Sequence, residues 1–161
     1  MSVKVSYKWL LAPKFAETVK KISQFGGFPS VKQSYNAARL VELLESELKK
    51  AQREWIGVKA KYAPILGRPA EKNEDGTSKE PTEEFKKAQA EFNEEMTAVL
   101  SQTVVFEKRD LIKASELDKL GLSPAELLCV FEVLDFSDLD DMEAKAKELA
   151  NHASELVSPQ L

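Results

Sequence analysis

Between Ser30 and Ile65, apolar or small residues recur at steps of three and four: Ala37, Val41, Leu44, Leu48, Ala51, Trp55, Val58, Tyr62 and Ile65. That spacing lines them all along one side of an α-helix, and its persistence over many turns predicts a rod. The stretch opens after Gly26-Gly27-Phe28-Pro29, with Ser30 placed to cap the first turn. Pro64 is expected to end it, because proline has no N–H to give to the helix and its ring crowds the preceding turn. A helix of about 33 residues reaches roughly 50 Å. Such a rod cannot bury its own seam, so the rest of the chain is constrained to supply the cover.

The cover is sought first in residues 82–103. Thr82 is a natural cap, and Glu83 and Glu84 fall in the first turn, where the helix dipole favours anions. Phe85, Ala88, Phe92, Met96, Val99 and Thr103 then form an apolar face whose 88–92–96 steps break a strict heptad. A bent antiparallel hairpin is expected, joined by the irregular segment 64–81. That segment contains Pro64, Gly67, Pro69, the turn signal Asp75-Gly76 and Pro81, and its tip is the expected site of proteolytic nicking.

The returning helix is too short to cover the whole rod, so the chain ends must contribute. Val3 to Tyr7 alternates like a short strand, and Val104, Val105 and Phe106 could pair with it. Pro13 fits the first turn of a helix that presents Phe15, Val19 and Ile22 on one face. Ser115–Leu120 reads as a short helix closed by Gly121, and Ser123-Pro124-Ala125-Glu126 is a capping box launching a helix from Leu127 to Leu134. A last helix from Ser137 or Asp138 would turn Leu139, Met142, Ala146, Leu149, Ala153 and Leu156 inward. The expected fold is all-α or nearly so: a long antiparallel helical hairpin, a small helical C-terminal cluster and a short two-stranded β element. One domain is expected over 1–161, divided into 1–29, the hairpin 30–103 and the C-terminal part 104–161.

Composition narrows the function classes. With 43% hydrophobic and 31% charged residues the chain suits a soluble helical protein. No apolar run approaches the length of a membrane span, and the N-terminus lacks the pattern of a secretory signal. The single cysteine, Cys129, lies in the apolar run Leu127–Phe131, so it reads as a buried thiol, with no internal disulfide to form. A reducing, cytoplasmic setting follows as the expectation.

Catalytic and metal chemistry find little support. His152 is the only histidine, which excludes a two-histidine site within one chain. Asp135, Asp138, Asp140 and Asp141 crowd together, but a calcium loop counted from Asp135 meets Asp140 where glycine belongs and Ala146 where glutamate belongs. Neither a phosphate-cradling glycine pattern nor a nucleophile elbow is present. No catalytic residue, metal or cofactor is therefore expected, and the chain reads as a non-enzyme.

Charge is unevenly spread. Residues 1–62 hold 12 Lys/Arg against 5 Asp/Glu, whereas residues 110–161 hold 4 against 12. Two partner classes follow. A protein partner, or self-association, would use apolar residues at or beside the rod's seam, with Leu43, Trp55 and Ile56 the candidates. Nucleic acid is the alternative, contacted by Lys8, Lys14, Lys20 and Lys21 beside Tyr7 and Trp9.

The layout from Ala37-Ala38-Arg39-Leu40 to Leu48, then Tyr62, Asn73-Glu74-Asp75-Gly76 and Phe85 to Val105, resembles small tailed-phage proteins, mostly of uncharacterised function. In those a long helix ends near a tyrosine, an acidic-Gly loop follows, and a returning helix leads into a β-like segment. The resemblance covers about residues 35–120. It implies a role in virion assembly, a chaperone-like activity or inhibition of a host factor or defence, in the host cytoplasm or the virion. It implies no catalytic residues.

Overall fold

The computed structural model describes residues 2–137. The chain opens with strand β1 (Ser2–Ser6), a single turn α1 (Tyr7–Leu10) and helix α2 (Pro13–Gln24). Helix α3 (Val31–Leu66) and helix α4 (Glu83–Ser101) follow, then strands β2 (Thr103–Glu107) and β3 (Ile112–Lys113), helix α5 (Pro124–Val130) and strand β4 (Leu134–Asp135). Helices dominate. The expected last helix, with His152, Asp138, Asp140 and Asp141, lies outside the described residues.

Helix α3 is 36 residues long, or about 54 Å at 1.5 Å per residue. Ser30 caps it as expected, its hydroxyl accepting from the Gln33 N–H. Its end departs from expectation: Pro64 is inside the helix, which runs on to Leu66. Pro64 leaves the Ala60 carbonyl without its usual donor, but only one further turn is needed, and the Gly67 N–H closes it on Ala63 O at 2.9 Å. Every seam residue is buried or half-buried, with Leu44 and Ala51 at 1% and 0% exposure.

Contacts between α3 and α4 run in opposite senses along the two helices. The Gln102 amide at the end of α4 donates to Glu54, and Phe92 meets Tyr62 edge-on with ring centroids 5.8 Å apart. Between the helices the chain closes on itself at Asn73–Thr77: the Asn73 N–H donates to Thr77 O at 2.7 Å, and Gly76 takes the positive φ of 85° that the turn requires. The Asp75 carboxylate accepts from both the N–H and the hydroxyl of Thr77.

β1 pairs antiparallel with β2, Val3 opposite Phe106 and Val5 opposite Val104. The ladder extends into α1, where the Tyr7 N–H donates to Gln102 O at 2.8 Å. Two strands are marginal alone. Here Val5 (1% exposed) and Phe106 (4%) point into a core shared with Leu10, Phe15, Val19, Ile22, Leu40 and Leu44. Thr18 is fully buried in the same core and survives there because its hydroxyl donates to the Lys14 carbonyl at 2.8 Å.

The region after β2 is less helical than expected. Residues Ala114–Leu120 form a 3-10 helix, not an α-helix, ended by Gly121 in the left-handed conformation (φ 68°, ψ 46°). The Ser123 capping box is present, but α5 stops at Val130; Phe131–Val133 is a 3-10 turn, and β4 pairs in parallel with β3, Ile112 opposite Leu134. Phe131, Val133, Leu134 and Phe136 are all buried, so burial of β-branched and aromatic side chains outweighs continuation of a short helix. Among the described residues no helix is long and apolar enough to cross a membrane.

Candidate functional site

The last four turns of α3 leave a groove against α4. Its volume is about 690 Å³, and its walls include Trp55, Ile56, Ala60, Ala63 and Leu66 from α3 and Phe92 from α4. The reason is local. Tyr62 of α3 meets Phe92 of α4, and Val58 and Ile65 on the same seam are half-buried, while Ile56 remains 59% exposed on the flank. Ala60 and Ala63 are too small to fill the space beside them, so the concavity stays open.

Trp55 forms the floor at one end. Its ring is half-buried, its indole N–H has no hydrogen-bond partner among the described residues, and the Lys59 ammonium stands 4.5 Å from the ring centroid. That cation–π contact holds Lys59 at the rim. The Lys61 ammonium and the Tyr62 hydroxyl both donate to Glu95 Oε1, the latter at 2.6 Å. The hydrogen bond to Glu95 raises the Tyr62 pKa, and the bond from Lys61 followed by that from Tyr62 lowers the Glu95 carboxyl. Lys61 and Glu95 thus neutralise each other, and the Gln89 amide on the far wall donates to Asn93 Oδ1 at 3.1 Å. Among the described residues Lys59 is the one charged residue lining the groove, which is therefore apolar with a positive rim.

The structure brings Trp55 and Ile56 together in this groove and leaves Leu43 out of it. Leu43 is 37% exposed and lies twelve residues before Trp55, about 18 Å along the helix. Phe92 was legible as an inward residue of the second helix; the small residues Ala60 and Ala63 give no sequence signal of a groove, since alanine fits any helix face.

The four lysines are placed differently. Lys8 is on α1, and Lys14, Lys20 and Lys21 are on α2. Lys14 bonds Glu17 at 2.9 Å, and Lys21 bonds Glu126 of α5, so the face that these two lysines share carries two carboxylates as well. Glu126 is only 6% exposed and accepts from both Lys21 and the Ser123 N–H, which together hold its carboxyl at about 2. This cluster ties α2 to α5.

Cys129 is buried, and burial pushes its thiol pKa up, the opposite of an activated nucleophile. Among the described residues no group of three or more His, Cys, Asp or Glu side chains is arranged to hold a metal ion. Comparison with protein-family models, with curated proteins and with solved structures finds no match for this chain.

Proposed function

We propose that this chain is a non-enzymatic protein-interaction module that docks an amphipathic helix of a partner protein in the α3–α4 groove. The observation that carries the reading is the open apolar concavity of about 690 Å³ with Ile56 59% exposed on its flank. A helix laid in such a groove buries apolar side chains at i, i+3 and i+4 spacing. Ala60 and Ala63 let a partner backbone approach closely, and Lys59, with no carboxylate among the lining residues, selects a partner carrying an acidic residue at its edge. The hairpin of α3 and α4 acts in this reading as a rigid platform. The resemblance to tailed-phage proteins points to a partner among virion-assembly or host factors.

The nucleic-acid reading draws less support, because Lys14 and Lys21 are engaged by Glu17 and Glu126. Its signature is a steep loss of affinity with salt, whereas docking in an apolar groove changes little.

The test pairs wild-type protein with Ile56→Asp, which places a charge in the groove without touching the core. Both are passed, tagged, through lysate of the source or of its infected host, with and without nuclease. A stoichiometric protein retained by the wild type after nuclease, and lost by Ile56→Asp at unchanged melting temperature, supports the groove. An identical retained set for both proteins refutes it, and retention that vanishes with nuclease replaces it with the nucleic-acid reading.

A further inference from the structure

A second concavity lies near the other end of α3. It measures about 170 Å³ and is lined by Asn36, Arg39, Arg109 and Asp110. Asn36 and Arg39 are three residues apart and share one face of the helix. The 3-10 turn Lys108–Asp110 packs on α3 and carries Arg109 and Asp110 to the same place.

Two guanidiniums thus line one small concavity, and their partners among the described residues do not balance them. Arg39 meets Asp110 at a single point, Nη2 to Oδ1 at 3.3 Å, and Asp110 is largely buried with its side chain 11% exposed. A guanidinium has five N–H donors in a fixed fork, so one such contact leaves most of Arg39's capacity unused. Arg109 has no ion-pair partner among the described residues. Like charges brought to one concavity repel, and an anion between them removes that cost.

We propose that this concavity binds the phosphate group of a small phosphorylated ligand. The planar forks of Arg39 and Arg109 match phosphate oxygens two at a time, and the Asn36 amide offers a further donor. Asp110 is a positioning residue that holds the Arg39 guanidinium toward the cavity. A phosphate suits two cationic forks better than a monocarboxylate does, because its tetrahedral oxygens can accept from both guanidiniums at once, whereas the two oxygens of a carboxylate match a single fork. A polynucleotide fits less well: the volume holds one phosphate group, and the Asp110 carboxylate repels a second beside it.

The test is a titration of the full chain with sodium phosphate at constant ionic strength, followed by amide and arginine Nε–H signals in ¹⁵N-edited NMR. Sodium acetate and a short single-stranded oligonucleotide are the comparison ligands. Saturable shifts centred on Asn36, Arg39 and Arg109 are expected. Arg109→Lys keeps the charge but removes the fork, so binding should weaken about tenfold. Arg109 is exposed, so neither Arg109→Lys nor Arg109→Ala threatens the fold. Shifts spread over lysines across the surface, equal response to acetate, or unchanged binding by Arg109→Ala would each overturn the site. An oligonucleotide that binds far more tightly than phosphate, with shifts extending beyond the cavity, would assign it to nucleic acid and overturn the small-ligand reading.

Discussion

Leu43 and Leu44 are chemically identical neighbours on α3, and the structure assigns them opposite energetic roles. Leu44 is 1% exposed in the main core, whereas Leu43 is 37% exposed. One residue turns the helix by about 100°, which is enough to move a side chain from the seam to its edge. Truncating Leu44 to alanine removes a buried side chain from the core, losing its transfer free energy and leaving a cavity; the expected cost is about 3 kcal/mol. Leu43→Ala leaves a site that water reaches and collapses easily, so its cost is about 1 kcal/mol or less. The assay is urea unfolding followed by helical circular dichroism, with both variants beside the wild type. For Leu44→Ala the midpoint should fall while the slope with denaturant stays unchanged. In a chain of this length the same loss lowers the melting temperature by roughly 6–12 °C. Equal costs at the two positions, or a larger cost at Leu43, would mean that the seam of α3 is rotated from the one described, and the groove beside Trp55 and Ile56 would lose its basis.

Glu126 makes stability depend on acid pH. Its carboxyl is pulled from the ordinary 4.5 to about 2, first by Lys21 and then by the Ser123 N–H, so the unfolded chain binds the proton at higher pH than the folded one. The stabilisation is full above about 4.5 and is lost as pH falls toward 2; Glu126→Gln should lower stability at neutral pH and flatten its dependence across that window in melts at stepped pH. Gly121→Ala should cost about 1 kcal/mol by denaturant titration, from the left-handed backbone alone, since nothing among the described residues lies within 4 Å of the added methyl. Trp55→Phe removes the buried, unpartnered indole N–H, so it should be neutral or stabilising by up to about 1 kcal/mol, and a clear destabilisation would show that this N–H has a partner.

Much of the helical layout was legible in the amino-acid order because the signals are local. A three-four apolar spacing can be met only by a helix face, Ser30, Thr82 and Ser123 cap through their own hydroxyls, and Asp75-Gly76 needs only its neighbours to turn. The pairing of β1 with β2 was also within reach, since both segments alternate and each adjoins a helix end. Other features depend on what lies across space. Pro64 sits inside α3, where Tyr62 is buried against Phe92 of α4 and the Gly67 N–H closes the last turn on Ala63 O, and no inspection of the proline alone reveals that. Helix α5 gives way to β4 after Val130 because Ile112, far away in the chain, offers a strand edge and a buried place for Leu134. The groove and the arginine concavity belong to the same class: Ala60 and Phe92, or Arg39 and Arg109, are separated by dozens of residues, and only tertiary packing sets them face to face. Local periodicity and capping therefore determined where the helices are, and long-range burial decided where they end and which surfaces stay open.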